Sequence, residues 1–266
     1  MSGYTDSRPR VASPARLPTL AVFKFASCDG CQLSILDVED QLMAVAGAVD
    51  IVNFPEASSR VLPGPYDVGL VEGSVTTPHD LERLLEIRQQ CGLLVTIGAC
   101  AMSGGIQALR NSLDVDELAA MVYAHPEYLD VHAESTPASA HVEVDLEIPG
   151  CPVNGRGLVE VLVAVLSGRR PDLPTHSVCV ECKLKGTTCV VVAKGQPCLG
   201  PVTRAGCGAI CPSYDRGCYG CFGPADVVNA GSLAARFDDD DKATLRAGLR
   251  GFNVAAPAFE EAARNV

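Results

Sequence analysis

The sequence lacks any run of about eighteen apolar residues, the length needed to cross a bilayer as a helix, and so predicts no membrane span. Residues 1–19 have neither the apolar stretch nor the small-residue cleavage site of a secretion signal, and we interpret them as a flexible tail. Positive charge is also scarce. The net charge of −11 gives the surface no attraction for phosphate backbones, so no nucleic-acid partner is expected. These absences predict a cytoplasmic protein.

Cysteine, by contrast, is abundant, with thirteen residues in a chain of 266. Three chemistries use cysteine at this density: a disulfide framework, structural zinc and iron–sulfur clusters. Because the cytoplasm keeps thiols reduced, the disulfide framework is the least favoured of the three.

Residues 20–174 alternate short β-rich apolar runs with amphipathic stretches, the pattern of a parallel sheet covered by helices. We predict an α/β domain with a flavodoxin-like, doubly wound sheet. The predicted strands are 20–25, 50–54, 68–71, 93–97 and 141–148. The predicted helices are 31–46, 78–90, 114–124 and 155–166, and 125–140 is predicted to be a surface excursion.

The composition changes near residue 175, where prolines end the last predicted helix and cysteine density rises. We predict a small cysteine-rich iron–sulfur module at 175–225, with too little aliphatic bulk for a conventional core and therefore in need of metal or cluster cross-links. A C-terminal helical segment, 226–266, is predicted to follow. Its acidic run 238–241 is interpreted as a solvated helix start.

Four cysteines of the first domain are predicted to meet at one edge of the sheet. Cys28 and Cys31 follow the first predicted strand, Cys100 follows the fourth and Cys151 follows the fifth. In doubly wound folds the carboxyl ends of the strands lie at the same edge, where ligands bind. Cys28 and Cys31 alone would also suit a thioredoxin-like dithiol. Four converging thiolates favour one four-iron cluster instead.

Two further residues of this domain have less specific signals. Glu72 ends the third predicted strand at the same edge, and two interpretations stay open: an ordinary surface carboxylate, or a buried group near a cluster or a partner's active site. Cys91 lies beside Gly92 in a predicted helical stretch, and we interpret it as a buried thiol that binds no metal.

The later module contains eight cysteines, which chain order divides into two sets of four. The first set is Cys179, Cys182, Cys189 and Cys198, and the second is Cys207, Cys211, Cys218 and Cys221. Paired Cys-x-x-Cys motifs also occur in zinc sites. The inner cysteines are irregularly spaced within glycine-rich loops, and Cys211 is followed by Pro212. Both features favour ferredoxin-like ligation. Exchange of a ligand between the sets stays open, as does His176 as a substitute ligand.

These motifs resemble the small subunit of nickel–iron hydrogenases, most closely the delta subunit of the cytosolic sulfhydrogenase or NADP-reducing kind. The resemblance covers residues 20–224. Its most specific pieces are Cys28-Asp-Gly-Cys31, Glu72-Gly-Ser, Gly98-Ala-Cys100, Pro149-Gly-Cys151-Pro and the eight-cysteine module. Respiratory members usually have a histidine and a three-iron medial cluster, so the full set of cysteines and the missing twin-arginine signal favour the cytosolic branch.

The resemblance implies an electron-transfer subunit that is not catalytic alone. The cluster of Cys28, Cys31, Cys100 and Cys151 would lie nearest the nickel–iron centre, which the large subunit holds, and two more four-iron clusters would follow. Diaphorase-type flavin and iron–sulfur subunits would bind flavin and NAD(P), since this chain has no nucleotide-binding glycine fingerprint. The implied reaction is reversible oxidation of dihydrogen coupled to NAD(P)+ reduction, or to sulfur reduction.

Several alternatives stay open at this point. They are a regulatory hydrogen-sensing small subunit, a complex-I-like iron–sulfur subunit and a zinc-stabilised scaffold. A complex-I-like subunit would not require the later eight cysteines. The terminal electron acceptor, whether NADP, NAD, F420, ferredoxin or polysulfide, is also left open by the sequence.

Overall fold

The computed structural model describes residues 16–38 and 47–266. In this part of the chain a five-stranded parallel sheet has the order β2-β1-β3-β4-β5. The strands are β1 (Thr19–Lys24), β2 (Asp50–Asn53), β3 (Tyr66–Glu72), β4 (Cys91–Ile97) and β5 (Leu146–Ile148). This is the predicted flavodoxin-like order, so the predicted fold class is confirmed.

Helices cover both faces of the sheet, which explains why its central strands are apolar throughout. Their ranges are α1 (Gly30–Leu36), α2 (Pro78–Gln90), α3 (Gly98–Ser103), α4 (Val115–Val122) and α5 (Gly155–Leu166). On one face Leu158 of α5 packs with Leu70 and Ile97, and on the other face Leu84 of α2 packs with Leu94. Each such buried side chain stabilises the fold by roughly 1.5–3 kcal/mol.

The helix α2 has the bounds that the sequence predicts, because its start is specified locally. The Thr77 side chain accepts a hydrogen bond from the Asp80 N–H, and the Asp80 carboxylate accepts one from the Thr77 N–H, both at 3.0 Å. This reciprocal capping box, followed by Pro78 at the first helical position, fixes where the helix begins. Helix α5 also has its predicted bounds.

Two predictions for the sheet domain are wrong. Cys91 does not lie in a helical stretch but begins β4, where it pairs with Tyr66. The fifth strand is much shorter than 141–148, because the Asp145 carboxylate accepts the Leu94 N–H at 2.7 Å in place of a backbone carbonyl.

Other predicted segments are only partly described. The first helix ends at Leu36, and residues 39–46 of the predicted helix 31–46 lie outside the described residues, as do 1–15 of the predicted tail. The predicted helix 114–124 is present as α4. The excursion 125–140 is mostly exposed, although Ser135 is buried and its hydroxyl donates to Ser74 Oγ at 2.8 Å.

The residues after 175 form short helices around their own hydrophobic cluster. The helices are α6 (Val178–Leu184), α7 (Val190–Lys194), α8 (Ile210–Ser213), α9 (Ala230–Ala234), α10 (Asp239–Leu249) and α11 (Pro257–Asn265). The cluster combines Val178 and Leu199 with Leu245 and Phe259. The C-terminal segment therefore supplies the aliphatic bulk that the cysteine-rich module lacks.

The acidic run 238–241 begins a helix, as predicted. Asp238 caps α10 and accepts the Asp241 N–H at 3.0 Å. Among the described helices none is both long and apolar enough to cross a membrane.

Candidate metal centres

The first four cysteines come together at the carboxyl edge of the sheet. Cys31 lies in the first turn of α1 after β1, Cys100 in α3 after β4, and Cys151 directly beyond β5. Cys28 and Cys151 both lie close enough to Cys100 for their charges to interact, and Cys31 likewise interacts with Cys100 and Cys151. The structure thus gathers thiols that are up to 123 residues apart along the chain, from Cys28 to Cys151.

The backbone approaches the Cys31 sulfur closely on two sides. Gly98 has φ 81°, and a Cβ atom at this position would overlap Cys31 Sγ. The Val153 N–H donates a hydrogen bond to the same sulfur at 3.4 Å. Glycine is therefore required where α3 begins, both for its conformation and for the space that it leaves to the sulfur.

Burial favours the protonated form of these thiols in the absence of a positive partner. It raises the pKa of Cys31 to about 12 and that of Cys100 to about 11, and burial also raises the pKa of Cys151. Metal ligation requires the thiolate form. A cationic iron cluster would supply the charge that stabilises four thiolates in this setting, so the donor set fits such a group.

Glu72 is a buried group and not an ordinary surface carboxylate. It ends β3, is 1% exposed, and accepts hydrogen bonds from the Gln32 side chain at 2.7 Å and from the Cys31 N–H at 3.3 Å. Burial raises its pKa, against the opposing effect of these hydrogen bonds. Glu72 therefore holds the start of α1, and with it Cys31, against the sheet.

Two glutamines that the sequence did not single out support the same cysteines. Gln32 is completely buried beside Glu72. Gln107 donates from Nε2 to the Ala26 carbonyl at 2.6 Å, and its Oε1 accepts from the Cys100 thiol at 3.4 Å. No local sequence signal distinguishes either glutamine from a surface residue.

The first set of later cysteines is gathered around α6 and the segments that follow it. Cys182 interacts electrostatically with its fellow members Cys179, Cys189 and Cys198. The Cys198 sulfur accepts N–H groups from Gly200 at 3.4 Å and from Cys218 at 3.1 Å. Cys189 is exposed, whereas Cys198 is buried.

The second set lies between the first set and the sheet. Cys221 interacts with Cys207, Cys211 and Cys151, and Cys218 interacts with Cys221. The Cys151 backbone lowers the pKa of Cys221, against the effect of burial, which raises it. Cys211 and Cys218 are near Cys198 as well, so the two sets adjoin. The division of these eight ligands stays a prediction.

Cys91 and His176 are placed differently from these twelve cysteines. Cys91 is buried, which raises its pKa to about 11, and the charged groups that influence it are Arg88 and Asp145. His176 is exposed, and its Nδ1 lies 3.2 Å from the Ser177 carbonyl oxygen. The roles of both residues stay predictions.

The geometry bears on the two alternative uses of cysteine. All thirteen cysteines lie in the described ranges and are free thiols. Among the residues of those ranges, no three cysteine, histidine or carboxylate side chains are close enough to hold a single metal ion. Both observations leave all of these thiols available as ligands.

The C-terminal segment ties the two cysteine regions together through Asn253, which is 4% exposed. Its Oδ1 accepts from the Ser103 hydroxyl at 2.7 Å, and its Nδ2 donates to the Gly220 carbonyl at 2.9 Å. The Ala255 N–H also donates to the Ser103 carbonyl at 3.1 Å. The sequence analysis missed this contact, because a single asparagine in a short loop has no distinctive pattern.

The sheet with four thiols at one edge, joined to a module with eight more, defines an iron–sulfur protein. Comparison with known sequences gives its family. Residues 28–165 match the family described as NADH ubiquinone oxidoreductase, 20 Kd subunit, and the chain belongs to that family. The matched range includes Cys28, Cys31, Cys100 and Cys151 and ends before the later eight cysteines.

Hydrogenase subunits are among the known proteins that are similar to this chain. Sulfhydrogenase 2 subunit delta of Pyrococcus furiosus is 38% identical over 207 residues, covering 77% of this chain and 86% of the relative. A subunit of the F420-non-reducing hydrogenase of Methanocaldococcus jannaschii is 33% identical over 266 residues, covering 83% of this chain and 92% of the relative.

A solved structure of a NAD+-reducing [NiFe]-hydrogenase in the H2-reduced state contains a chain with 30% identity and a TM-score of 0.55. The match covers 60% of this chain and 96% of that chain. The predicted resemblance to hydrogenase small subunits is thus confirmed, and the chain is a subunit of an oxidoreductase complex.

Proposed function

We propose that this chain is the electron-transfer small subunit of a nickel–iron hydrogenase complex and holds three [4Fe-4S] clusters. The observation that carries this proposal is the convergence of Cys28, Cys31, Cys100 and Cys151 at one edge of the sheet. The hydrogenase names of the relatives support it.

The residues of the chain would bind the clusters and adjust their potentials. When bound, such clusters accept and release single electrons. Cysteine thiolates would hold them, and backbone N–H groups that point at sulfur would stabilise the added negative charge. Val153 donates in this way to Cys31, and Gly200 and Cys218 donate to Cys198.

The arrangement of the three sets suggests a path for electrons. The electrostatic interaction between Cys151 and Cys221 connects the sheet-edge set to the second later set, and that set adjoins the first. The sheet-edge cluster would be proximal, the cluster of Cys207, Cys211, Cys218 and Cys221 medial, and the cluster of Cys179, Cys182, Cys189 and Cys198 distal. Exposed thiols lie at both ends, Cys28 and Cys189.

The partners follow from these two ends. A large subunit with the nickel–iron centre would cover the Cys28 end, and diaphorase-type flavin and iron–sulfur subunits would receive electrons at the Cys189 end. The net reaction is H2 + NAD(P)+ → NAD(P)H + H+, in the cytoplasm, and it is reversible. A sulfur species would replace NAD(P)+ as the acceptor in a sulfhydrogenase.

A complex-I-like subunit is the second candidate, because the matching family is described by a ubiquinone oxidoreductase subunit. The later eight cysteines count against it. A hydrogen-sensing subunit would have the same cluster sites, and hydrogen turnover by the purified complex separates the two roles.

The test begins with anaerobic purification of the native complex and identification of its chains. The proposal predicts about twelve irons and as many sulfides in this subunit. It also predicts hydrogen-dependent dye reduction that Cys28→Ser abolishes while the complex stays assembled, with Cys91→Ala as the control that retains activity. Zinc in place of iron, or unchanged activity in Cys28→Ser, would contradict it.

A further inference from the structure

Glu181 lies among the first set of later cysteines, but its carboxylate accepts hydrogen bonds from the loop that contains Cys207, a member of the second set. It lies in α6 between Cys179 and Cys182. Its Oε1 accepts the Gly206 N–H and its Oε2 accepts the Ala209 N–H, both at 3.0 Å. The two amides flank Cys207, whose Sγ lies 3.9 Å from Oε2.

The loop around Cys207 has a backbone conformation that needs such support. Gly206, Gly208 and Ala209 all have positive φ, of 130°, 66° and 52°. For an alanine this conformation costs about 1–2 kcal/mol. Burial raises the pKa of Cys207, and the Ile210 and Ala209 backbone of this turn opposes that rise. A loop that is strained in this way keeps its shape only if neighbouring groups hold it.

The sheet domain holds the same loop from the opposite side. The Asn154 side chain donates to the Gly206 carbonyl, and its Oδ1 accepts the Arg156 N–H at 2.9 Å at the start of α5. The Phe222 ring packs against Gly206, where a Cβ atom would lie 2.9 Å from it. Cys207 is therefore positioned by groups from both cysteine regions. Among Asn154, Phe222 and Glu181, which contact its loop, Glu181 has the ionisable side chain.

We propose that Glu181 is a positioning residue that fixes Cys207 for ligation and keeps a negative charge beside the cluster that Cys207 holds. This inference rests on the proposed function, since it takes that cluster to be present. Reduction adds an electron to the cluster, and a nearby carboxylate opposes the added charge more strongly in a poorly solvated site. Glu181 thereby lowers the reduction potential of this cluster.

The experiment is a redox titration of the anaerobic complex, followed by electron paramagnetic resonance, for wild type and Glu181→Gln. The midpoint potential of the cluster that Cys207 holds is expected to rise in the variant, while that of the sheet-edge cluster stays unchanged. The control is Asp226→Asn, which removes a carboxylate that directly follows the cysteine-rich module and pairs with Arg204 of that module. It is expected to leave all three potentials unchanged.

Two further measurements separate positioning from charge. Hydrogen exchange of peptides that span residues 203–210 should be faster in Glu181→Gln than in wild type, because one amide loses its acceptor. Glu181→Asp keeps the charge but is too short to reach both amides. It should show the faster exchange with a smaller rise in potential than Glu181→Gln.

The outcomes decide the proposal in either direction. Loss of only the cluster that Cys207 holds in Glu181→Gln, with about four fewer irons, also supports it, because Cys207 then fails to ligate. Wild-type potentials and exchange in Glu181→Gln would overturn it. So would loss of all three clusters, equal potential shifts in the Gln and Asp variants, or the same shift in Asp226→Asn. A wild-type complex without three clusters would instead overturn the proposed function.

Discussion

The hydroxyl of Ser103 donates a hydrogen bond of 2.7 Å to Oδ1 of Asn253, 150 residues later in the chain. Ser103 ends the helix that contains Cys100, and the same asparagine donates to Gly220, between Cys218 and Cys221. The buried side chain of Asn253 thus links the helix that contains Cys100 to the segment that contains Cys218 and Cys221.

Asn253→Ala should destabilise the protein and loosen the cluster of Cys218 and Cys221. Each hydrogen-bonding partner left buried and unsatisfied costs roughly 1–3 kcal/mol. Asn111→Ala is the matched control, since Asn111 makes two hydrogen bonds to the Ser135 backbone, and neither bond joins the two cysteine regions. Both variants should lower the melting temperature, but only Asn253→Ala should lower the iron content. Equal iron contents would contradict the link.

Gly98→Ala should displace the Cys31 sulfur and remove the sheet-edge cluster. Its added Cβ would overlap Cys31 Sγ, in a backbone conformation with φ 81°. Gly168→Ala imposes similar strain at φ 66°, but nothing lies within 4 Å of its added Cβ.

Iron analysis compares the two glycine variants directly. Gly98→Ala is expected to lose about four irons, and Gly168→Ala none. The same iron content in both variants would mean that strain alone, and not the approach to Cys31, accounts for any loss of stability.

Glu72→Ala should be more harmful than Glu72→Gln. Alanine leaves the buried Cys31 N–H and Gln32 amide without their acceptor, at roughly 1–3 kcal/mol each. Glutamine keeps one acceptor. Its amide can donate to Gln32 Oε1, which has no partner among the described residues, once Gln32 turns its amide. Melting temperatures that fall equally in both variants would contradict this role for the two hydrogen bonds.

The pH dependence of stability gives a second test of Glu72. Burial raises its pKa, so the folded protein binds this proton more tightly than the unfolded chain does. The stabilising contribution is complete below the ordinary glutamate pKa and is lost as pH rises through the raised value. Glu72→Gln should therefore gain stability relative to wild type between acid and neutral pH. A difference that is constant with pH would contradict the raised pKa.

The sheet could be predicted from the sequence because its central strands are buried on both faces and therefore appear as apolar runs. Cys100 and Cys151 each follow such an apolar run, and this position predicted that they lie at the carboxyl edge of the sheet. Cys91 was assigned wrongly because it directly follows the last turn of α2, where no glycine or proline separates helix from strand.

The polar residues that support the cysteines could not be predicted. Glu181, Asn253 and Gln107 each act on a loop that is distant in the chain, and the side chains of glutamate, asparagine and glutamine are common on surfaces. Cysteine spacing identifies ligands because few other roles need it. The residues that hydrogen-bond to the cysteine loops have no comparable spacing in the sequence, since their contacts depend on how distant segments pack in the folded protein.

The central claim is that four thiols distant in the chain hold one cluster, and Mössbauer spectroscopy of the iron-57-labelled complex tests it most directly. Wild type should show three four-iron clusters. Cys28→Ala, Cys100→Ala and Cys151→Ala should each lose or alter the same single cluster, while Cys91→Ala retains all three. Variants at Cys28 and Cys100 that affect different clusters, or none, would contradict the account.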